Sequence, residues 1–141
     1  MNSNVIITII IVTYNSEKYI CQCLDSIYRG NVDLTLEIIV VDNNSSDSTI
    51  NIIKKKYPSI ILIVNSKNEG FARANNQAME IAKGKYLFLL NPDTIISHNA
   101  LERFRAFLDK RTNADVWCIG GQLIDENGAP SKYLIIISCS D

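Results

Sequence analysis

The sequence predicts an α/β domain built on a mostly parallel sheet with helices on both faces. Three observations predict it. Runs of Ile, Val and Leu of strand length recur with no polar alternation, as strands buried on both sides require. Segments of helical periodicity separate those runs. The connections are short and polar, the pattern of repeated strand-helix crossovers in one sheet.

The first strand is predicted over residues 5–13 (VIITIIIVT) and is broken by Tyr14-Asn15-Ser16. A helix over 17–28 follows, with Ile20, Leu24, Ile27 and Tyr28 at helical spacing. Residues 36–41 (LEIIVV) form a second strand that ends at Asp42, and 43–48 form a polar turn. A helix then runs to about Tyr57, where Pro58 stops it. A third strand covers 60–64, and 65–70 is a polar connection. The helix over 71–83 is closed by Gly84, read as a C-terminal glycine. The fourth strand, 86–90 (YLFLL), ends in Asn91-Pro92-Asp93. A helix over 99–110 points Leu101, Phe104, Phe107 and Leu108 inward. Residues 116–124 read as a strand or strand pair around Gly120-Gly121, and 125–128 as a turn. Residues 133–137 (YLIII) could make one more strand.

Length and charge narrow the function classes. The 141 residues fit one domain, and an apolar share of 47% suffices for a single core. Fourteen basic and fifteen acidic residues leave a net charge of −1, which argues against a nucleic-acid surface, since that needs clustered positive charge. The one basic run, Lys54-Lys55-Lys56, reads as a solvated helix end that suits the helix dipole. Cys21, Cys23, Cys118 and Cys139 lack zinc-ligand spacing and are too few for a disulfide scaffold, so reduced, mostly buried thiols are expected. The start of the chain carries no basic residue before its apolar run and no small-residue cleavage site. The run itself is too short to span a bilayer. A cytoplasmic location is therefore expected.

In parallel sheets, ligands bind beyond the carboxyl ends of the strands. Tyr14-Asn15, Asp42-Asn43-Asn44 and Asn91-Pro92-Asp93 all fall there, on one rim. Asp93 has two readings. A carboxylate after a buried strand can bind a divalent cation whose shell is completed by waters and phosphate oxygens, offsetting charge on a departing pyrophosphate. Alternatively, Asn-Pro-Asp is simply a good turn. Asp42 either accepts a hydrogen bond from a nucleobase imide or ribose hydroxyl, or closes an Asx-turn at the next helix. Asp47 fits the helix-terminal role. Tyr14 could stack on a base or pack on the first helix. Asn75 lies on an apolar helix face and needs partners, or costs roughly 1–3 kcal/mol. It braces the 65–70 loop or touches a ligand. Arg73 either reaches a phosphate or is ordinary surface charge, and His98 reads as a surface residue at a helix start.

Taken together the motifs are more specific. Residues 9–15 (IIIVTYN), 40–47 (VVDNNSSD), 68–76 (NEGFARANN) and 89–93 (LLNPD), in this order, closely resemble the family 2 glycosyltransferases of GT-A fold. The Asn-Pro-Asp version resembles the rhamnosyltransferase-like branch. The resemblance implies a nucleotide-diphospho-sugar transferase fold, a Rossmann-like sandwich with a mostly parallel central sheet, whose C-terminal part is missing here. It covers residues 5–128, the implied nucleotide-sugar-binding half-domain, and leaves 129–141 as an atypical tail. Thr13, Tyr14 and Asp42, with Asn15 and Asn43 beside them, match positions around the nucleotide base. Gly70, Arg73 and Asn75 match the loop and helix that close over the nucleotide. Asn91 stands where the Asp-x-Asp metal motif has its first aspartate, so the metal falls to Asp93.

The implied activity is inverting transfer from a nucleotide-diphospho-sugar, dTDP-rhamnose or a UDP-sugar, to a saccharide or lipid-linked acceptor in cell-surface polysaccharide assembly. Mg2+ or Mn2+ is the implied cofactor. A lipid-linked acceptor would bring peripheral association with the inner face of the membrane. In the family, the acceptor site and the catalytic base belong to a second half. Only Asp141 follows the 125–128 turn, and its Ser-Cys-Ser-Asp context does not match. The expectation is a truncated member, inactive by itself. A non-catalytic nucleotide-sugar-binding module is the main alternative. A sugar nucleotidyltransferase fits poorly, because no glycine precedes Gly30, and a dinucleotide-dependent dehydrogenase lacks its G-x-G-x-x-G.

Overall fold

The structure is a computed structural model, and it describes residues 5–30, 34–110, 116, 118–125 and 127–138, with the backbone alone for 131–138. Its elements are β1 (Ile7–Thr13), α1 (Ile20–Gly30), β2 (Leu36–Asp42), α2 (Thr49–Lys56), β3 (Ile61–Val64), α3 (Phe71–Ile81), β4 (Tyr86–Leu90), α4 (Ala100–Leu108), β5 (Cys118–Ile124) and β6 (Pro130–Ser138). They form a six-stranded sheet in the order β3-β2-β1-β4-β6-β5. The four strands β3, β2, β1 and β4 are parallel, and β6 runs antiparallel to both β4 and β5.

The pleat sorts the unbroken apolar runs into two cores. Ile7, Ile9 and Ile11 face one way with Ile38, Val40 and Phe88, under Ile20, Leu24 and Ile27 of α1, Ile53 of α2 and Leu101 of α4. Ile10, Ile39, Val41 and Leu87 face the other way, under Ala74 and Ala78 of α3. Each fully buried Ile or Leu stabilises by about 1.5–3 kcal/mol relative to exposure. The two alanines let α3 approach the sheet closely, so one helix covers a face on which three strands meet.

Register places the site. Thr13 is the Cα partner of Asp42, so β1 and β2 end level. Leu90 of β4 pairs further back, with Ile11, so the chain after Leu90 runs alongside the end of β1. The strand order turns back on itself between β1 and β4, where crossovers leave in opposite directions and open a crevice at the carboxyl edge.

Several expectations are corrected. The first helix begins at Ile20 rather than residue 17; residues 17–19 form a turn, with the amides of Tyr19 and Ile20 both donating to the Ser16 carbonyl (3.0 Å each). α3 ends at Ile81. Ala82 is extended, and the amides of Lys83 and Gly84 donate to Glu37 Oε2 and Thr8 Oγ1. Gly84 is thus no helix-closing glycine. A Cβ there would lie 2.4 Å from the Thr8 backbone nitrogen, so the requirement is close approach to β1. Phe107 is 42% exposed, while Leu101 and Leu108 point inward. Of the strand or strand pair expected over 116–124, the single strand is found: residues 118–124, paired antiparallel with β6. The stretch set apart as a tail contributes β6, which lies inside the sheet between β4 and β5. Lys54, Lys55 and Lys56 do occupy the exposed last turn of α2. Of the thiols, Cys23 is buried, Cys21 half-buried and Cys118 exposed, and all three are free. Cys139 and Asp141 lie outside the described residues. Among the described residues, no helix is long and apolar enough to cross a membrane.

Candidate functional site

The floor of the rim is Asp42. It is fully buried, at 0% exposure, and its carboxylate accepts from Thr13 Oγ1 (3.0 Å), Ser45 N (2.8 Å) and Ser45 Oγ (2.6 Å). A buried carboxylate needs such donors. Here they come from the end of the adjacent strand and from the turn that Asp42 itself starts, at the residue three positions on. Oδ1 takes two of the three bonds, leaving Oδ2 with one.

The loops after β1 and β2 latch together above it. Asn15 N donates to Ser45 Oγ (2.8 Å), and Asn15 Oδ1 accepts from Ser46 N (2.9 Å). Ser16 N donates to Thr49 Oγ1 (2.9 Å). Two more bonds cross the same gap: Glu17 N donates to Asp47 Oδ2, and Ser48 N donates to Glu17 Oε2. Asp47 also accepts from Thr49 N, in the helix-terminal role expected of it. Asn15 and Asn44 take left-handed backbone angles, φ 49° and 67°, which asparagine tolerates better than most side chains. Between these loops Tyr14 remains 54% exposed, so its ring is open to a stacking partner.

On the other side of Asp42 an amide chain reaches α3. Asn43, buried to 3%, accepts from Asn65 Nδ2 (2.9 Å) and donates Nδ2 to the Gly70 carbonyl (3.3 Å). Asn65 and Gln77 exchange two hydrogen bonds of 2.9 and 3.1 Å. Gly70 has φ 83° and open space around its Cβ position, so backbone conformation alone explains the glycine. The brace expected from Asn75 is therefore supplied by Asn43, Asn65 and Gln77. Asn75 is 4% exposed and donates instead to the Phe71 carbonyl of its own helix (2.9 Å). Asn65 and Gln77 were not singled out from the sequence, and nothing local marks a pair twelve positions apart as partners. Arg73 pairs with Glu69 at 3.3 Å with its side chain 76% exposed, a contact that solvent makes cheap to exchange.

The third strand end is the turn from Asn91 to Thr94, closed by Thr94 N donating to Asn91 O (3.1 Å). The Cys23 thiol of α1 points its S–H at the same carbonyl, with S···O 3.6 Å. Burial, aided by the negative charge of Asp93, pushes that thiol up to about 12, so it stays protonated and able to donate. Asp93 is exposed, and its carboxylate has no hydrogen-bond partner among the described residues. His98 is exposed and lies beyond the turn. Asn91 and Asp93 line a cavity of about 1040 Å³ bounded by residues 93–97, by Arg103, Phe104 and Phe107 of α4, and by residues 119–124 of β5. Asp93 is its one acidic lining residue among those described. Sequence reasoning missed this cavity because β5 reaches it only through the insertion of β6.

Whether the rim can hold a divalent cation follows from its donors. Among the described residues no three His, Cys, Asp or Glu side chains converge. A single unpartnered carboxylate fits Mg2+ or Mn2+ only where phosphate oxygens and waters complete the shell, the usual manner for these hard cations.

Comparison with known proteins gives a consistent result. The family model described as Glycosyl transferase family 2 matches residues 8–134. The chain is 38% identical over 131 residues to a poly(ribitol-phosphate) β-glucosyltransferase of Bacillus spizizenii, covering 89% of this chain and 20% of that protein. The structure of Staphylococcus aureus TarS residues 1–349 with UDP-GlcNAc superposes with a TM-score of 0.64 at 31% identity, over 74% of this chain and 31% of the other. A mannosyltransferase of Pyrobaculum calidifontis in complex with GDP-Man and Mn2+ superposes with a TM-score of 0.71 at 25% identity, over 84% and 35%. The chain thus spans about a fifth of the first relative's length and about a third of either solved structure.

Proposed function

The chain belongs to glycosyl transferase family 2, and on that premise we propose that its rim binds a nucleotide-diphospho-sugar for transfer to a cell-surface polymer. The observation that carries this reading is Asp93: an exposed carboxylate with no hydrogen-bond partner among the described residues, lining a large cavity just past the end of β4, which pairs alongside β1. Tyr14 stacks on the base. Asp42 Oδ2, which holds one hydrogen bond, accepts a second from the base or ribose when the Ser45 turn yields. Gly70 and Asn75 shape the loop and helix that close over the diphosphate, and Arg73 leaves Glu69 to meet it. Asn91 and Asp93 face the leaving diphosphate, with Asp93 carrying the cation. That cation, Mg2+ or Mn2+, supplies Lewis-acid neutralisation of the charge that builds on the diphosphate. The sugar lies toward the cavity.

The relatives' names favour a UDP-sugar and a polyol-phosphate or polysaccharide acceptor over the dTDP-rhamnose suggested by the Asn-Pro-Asp motif. A second reading, a donor-binding unit that does not transfer by itself, is favoured by the cavity wall, where no second carboxylate stands among the described residues to deprotonate an acceptor. Calorimetric titration with UDP, dTDP and GDP, each with and without Mn2+, tests the assignment. UDP should bind most tightly, with a gain on adding Mn2+. Tighter dTDP binding would restore the rhamnosyl donor, and no binding of any diphosphate would overturn the site.

A further inference from the structure

Asp93 sits on a connection that is held from below at two points by one helix face. Cys23 and Ser26, three residues apart and so neighbours on α1, are 1% and 5% exposed. The Cys23 thiol reaches the Asn91 carbonyl at 3.6 Å. Ser26 Oγ donates to the Cys23 carbonyl (2.7 Å) and accepts from the Ile96 amide (3.0 Å). The segment between the two anchors is closed by the Thr94 to Asn91 hydrogen bond, and Thr94 and Ile96 are themselves buried, at 9% and 8%. Asp93 is exposed on this arch, as are Asn91 and Ile95, and it carries the arch's one carboxylate.

We propose that Cys23 and Ser26 are positioning residues that hold the Asn91–Ile96 arch so that the Asp93 carboxylate stands preorganised for the cation and diphosphate. The proposal rests on the reading of Asp93 given above and adds what places it. The geometry explains an economy in α1. Its other inward positions, Ile20, Leu24 and Ile27, are apolar and pack on the sheet, whereas a hydroxyl with two partners is spent at Ser26. A purely apolar residue there would leave the Ile96 amide buried without an acceptor. Fixing a carboxylate before the ligand arrives avoids ordering it on binding, which is the general source of gain from preorganisation.

The test uses the full chain and two readouts. Amide hydrogen exchange at Thr94 and Ile96 reports the arch with no ligand present. Titration with UDP, with and without Mn2+, reports Asp93. Ser26→Ala should speed exchange at Ile96 at least tenfold. It should cut the Mn2+-dependent gain in UDP affinity about tenfold, and leave UDP affinity without metal within about twofold. Ser26→Thr, which keeps the Oγ, should recover the gain. Cys23→Ala should loosen Thr94 in the same way, and Cys23→Ser should restore it, which keeps the test alive if a Ser26 variant folds poorly. A parent chain in which Asp93→Ala leaves the Mn2+-dependent gain intact overturns the reading of Asp93, and this proposal with it. A parent that loses the gain with Asp93→Ala but keeps it with Ser26→Ala overturns the positioning role alone.

Discussion

Thr13 and Asp42 end their strands side by side, and the Thr13 hydroxyl donates to the Asp42 carboxylate at 3.0 Å with both residues fully buried. The bond joins the two central loops of the rim at their root. It gives the Asp42 carboxylate a structural role in the fold.

Asp42→Asn keeps the shape but turns one acceptor oxygen into a donor that faces Ser45 or Thr13. The Ser45 turn should loosen, and stability should fall by about 1–3 kcal/mol, the usual cost of leaving a buried donor unpaired. Nucleotide affinity should drop with and without Mn2+, because the substitution acts on base and ribose. Thermal unfolding and UDP titration check both halves. A variant that lost only the metal-dependent part would place Asp42 on the cation instead.

Asp93→Asn removes charge at an exposed position whose carboxylate has no hydrogen-bond partner among the described residues, so stability should stay within about 0.5 kcal/mol of the parent. The Mn2+-dependent gain in UDP affinity should disappear. A marked fall in melting temperature would show that the carboxylate braces its own turn.

Gly84→Ala should be costly although the position is remote from the rim. The added Cβ meets the Thr8 nitrogen at 2.4 Å, Thr8 Oγ1 at 2.7 Å and the Ile7 carbonyl carbon at 2.9 Å, and two of these are backbone atoms that cannot swing away. Overpacking of this kind typically costs about 1–3 kcal/mol, or several degrees in melting temperature. UDP affinity should be unchanged, since Gly84 lies at the amino edge of the sheet. An unshifted melting curve would mean that β4 can move away from β1.

Asp109, at the end of α4, accepts from Lys85, Tyr86 and Arg105. The Lys85 hydrogen bond, with those of Tyr86 and Arg105, holds its carboxyl down at about 2. A depressed acid contributes stability above its unfolded value near 3.8 and loses it as pH falls toward about 2. The side chain is 34% exposed, so solvent screening limits the effect to about 1 kcal/mol. Asp109→Asn should flatten the acid limb of the stability curve between about pH 4 and pH 2 and leave its shape at pH 7 alone. Equal acid sensitivity in parent and variant would assign that limb to other carboxylates.

What the sequence by itself determined about this protein is local. Four β-branched or leucine-rich runs, the helical spacing between them, and the polar residues at their ends placed the parallel sheet and its rim, because burial on both faces leaves a central strand few polar positions until it stops. Tertiary structure alone decided what those rim residues do. Thr13 meets Asp42 across 29 positions, Asn43 meets Asn65 across 22, and Ser26 meets Ile96 across 70. It also put β6 between β4 and β5, and β5 supplies one wall of the cavity that Asp93 lines. Periodicity records which face of an element is buried, since that depends on its own residues. The partner of a buried hydroxyl or amide depends on which two distant segments the packed sheet brings within 3 Å, and no local pattern encodes that distance.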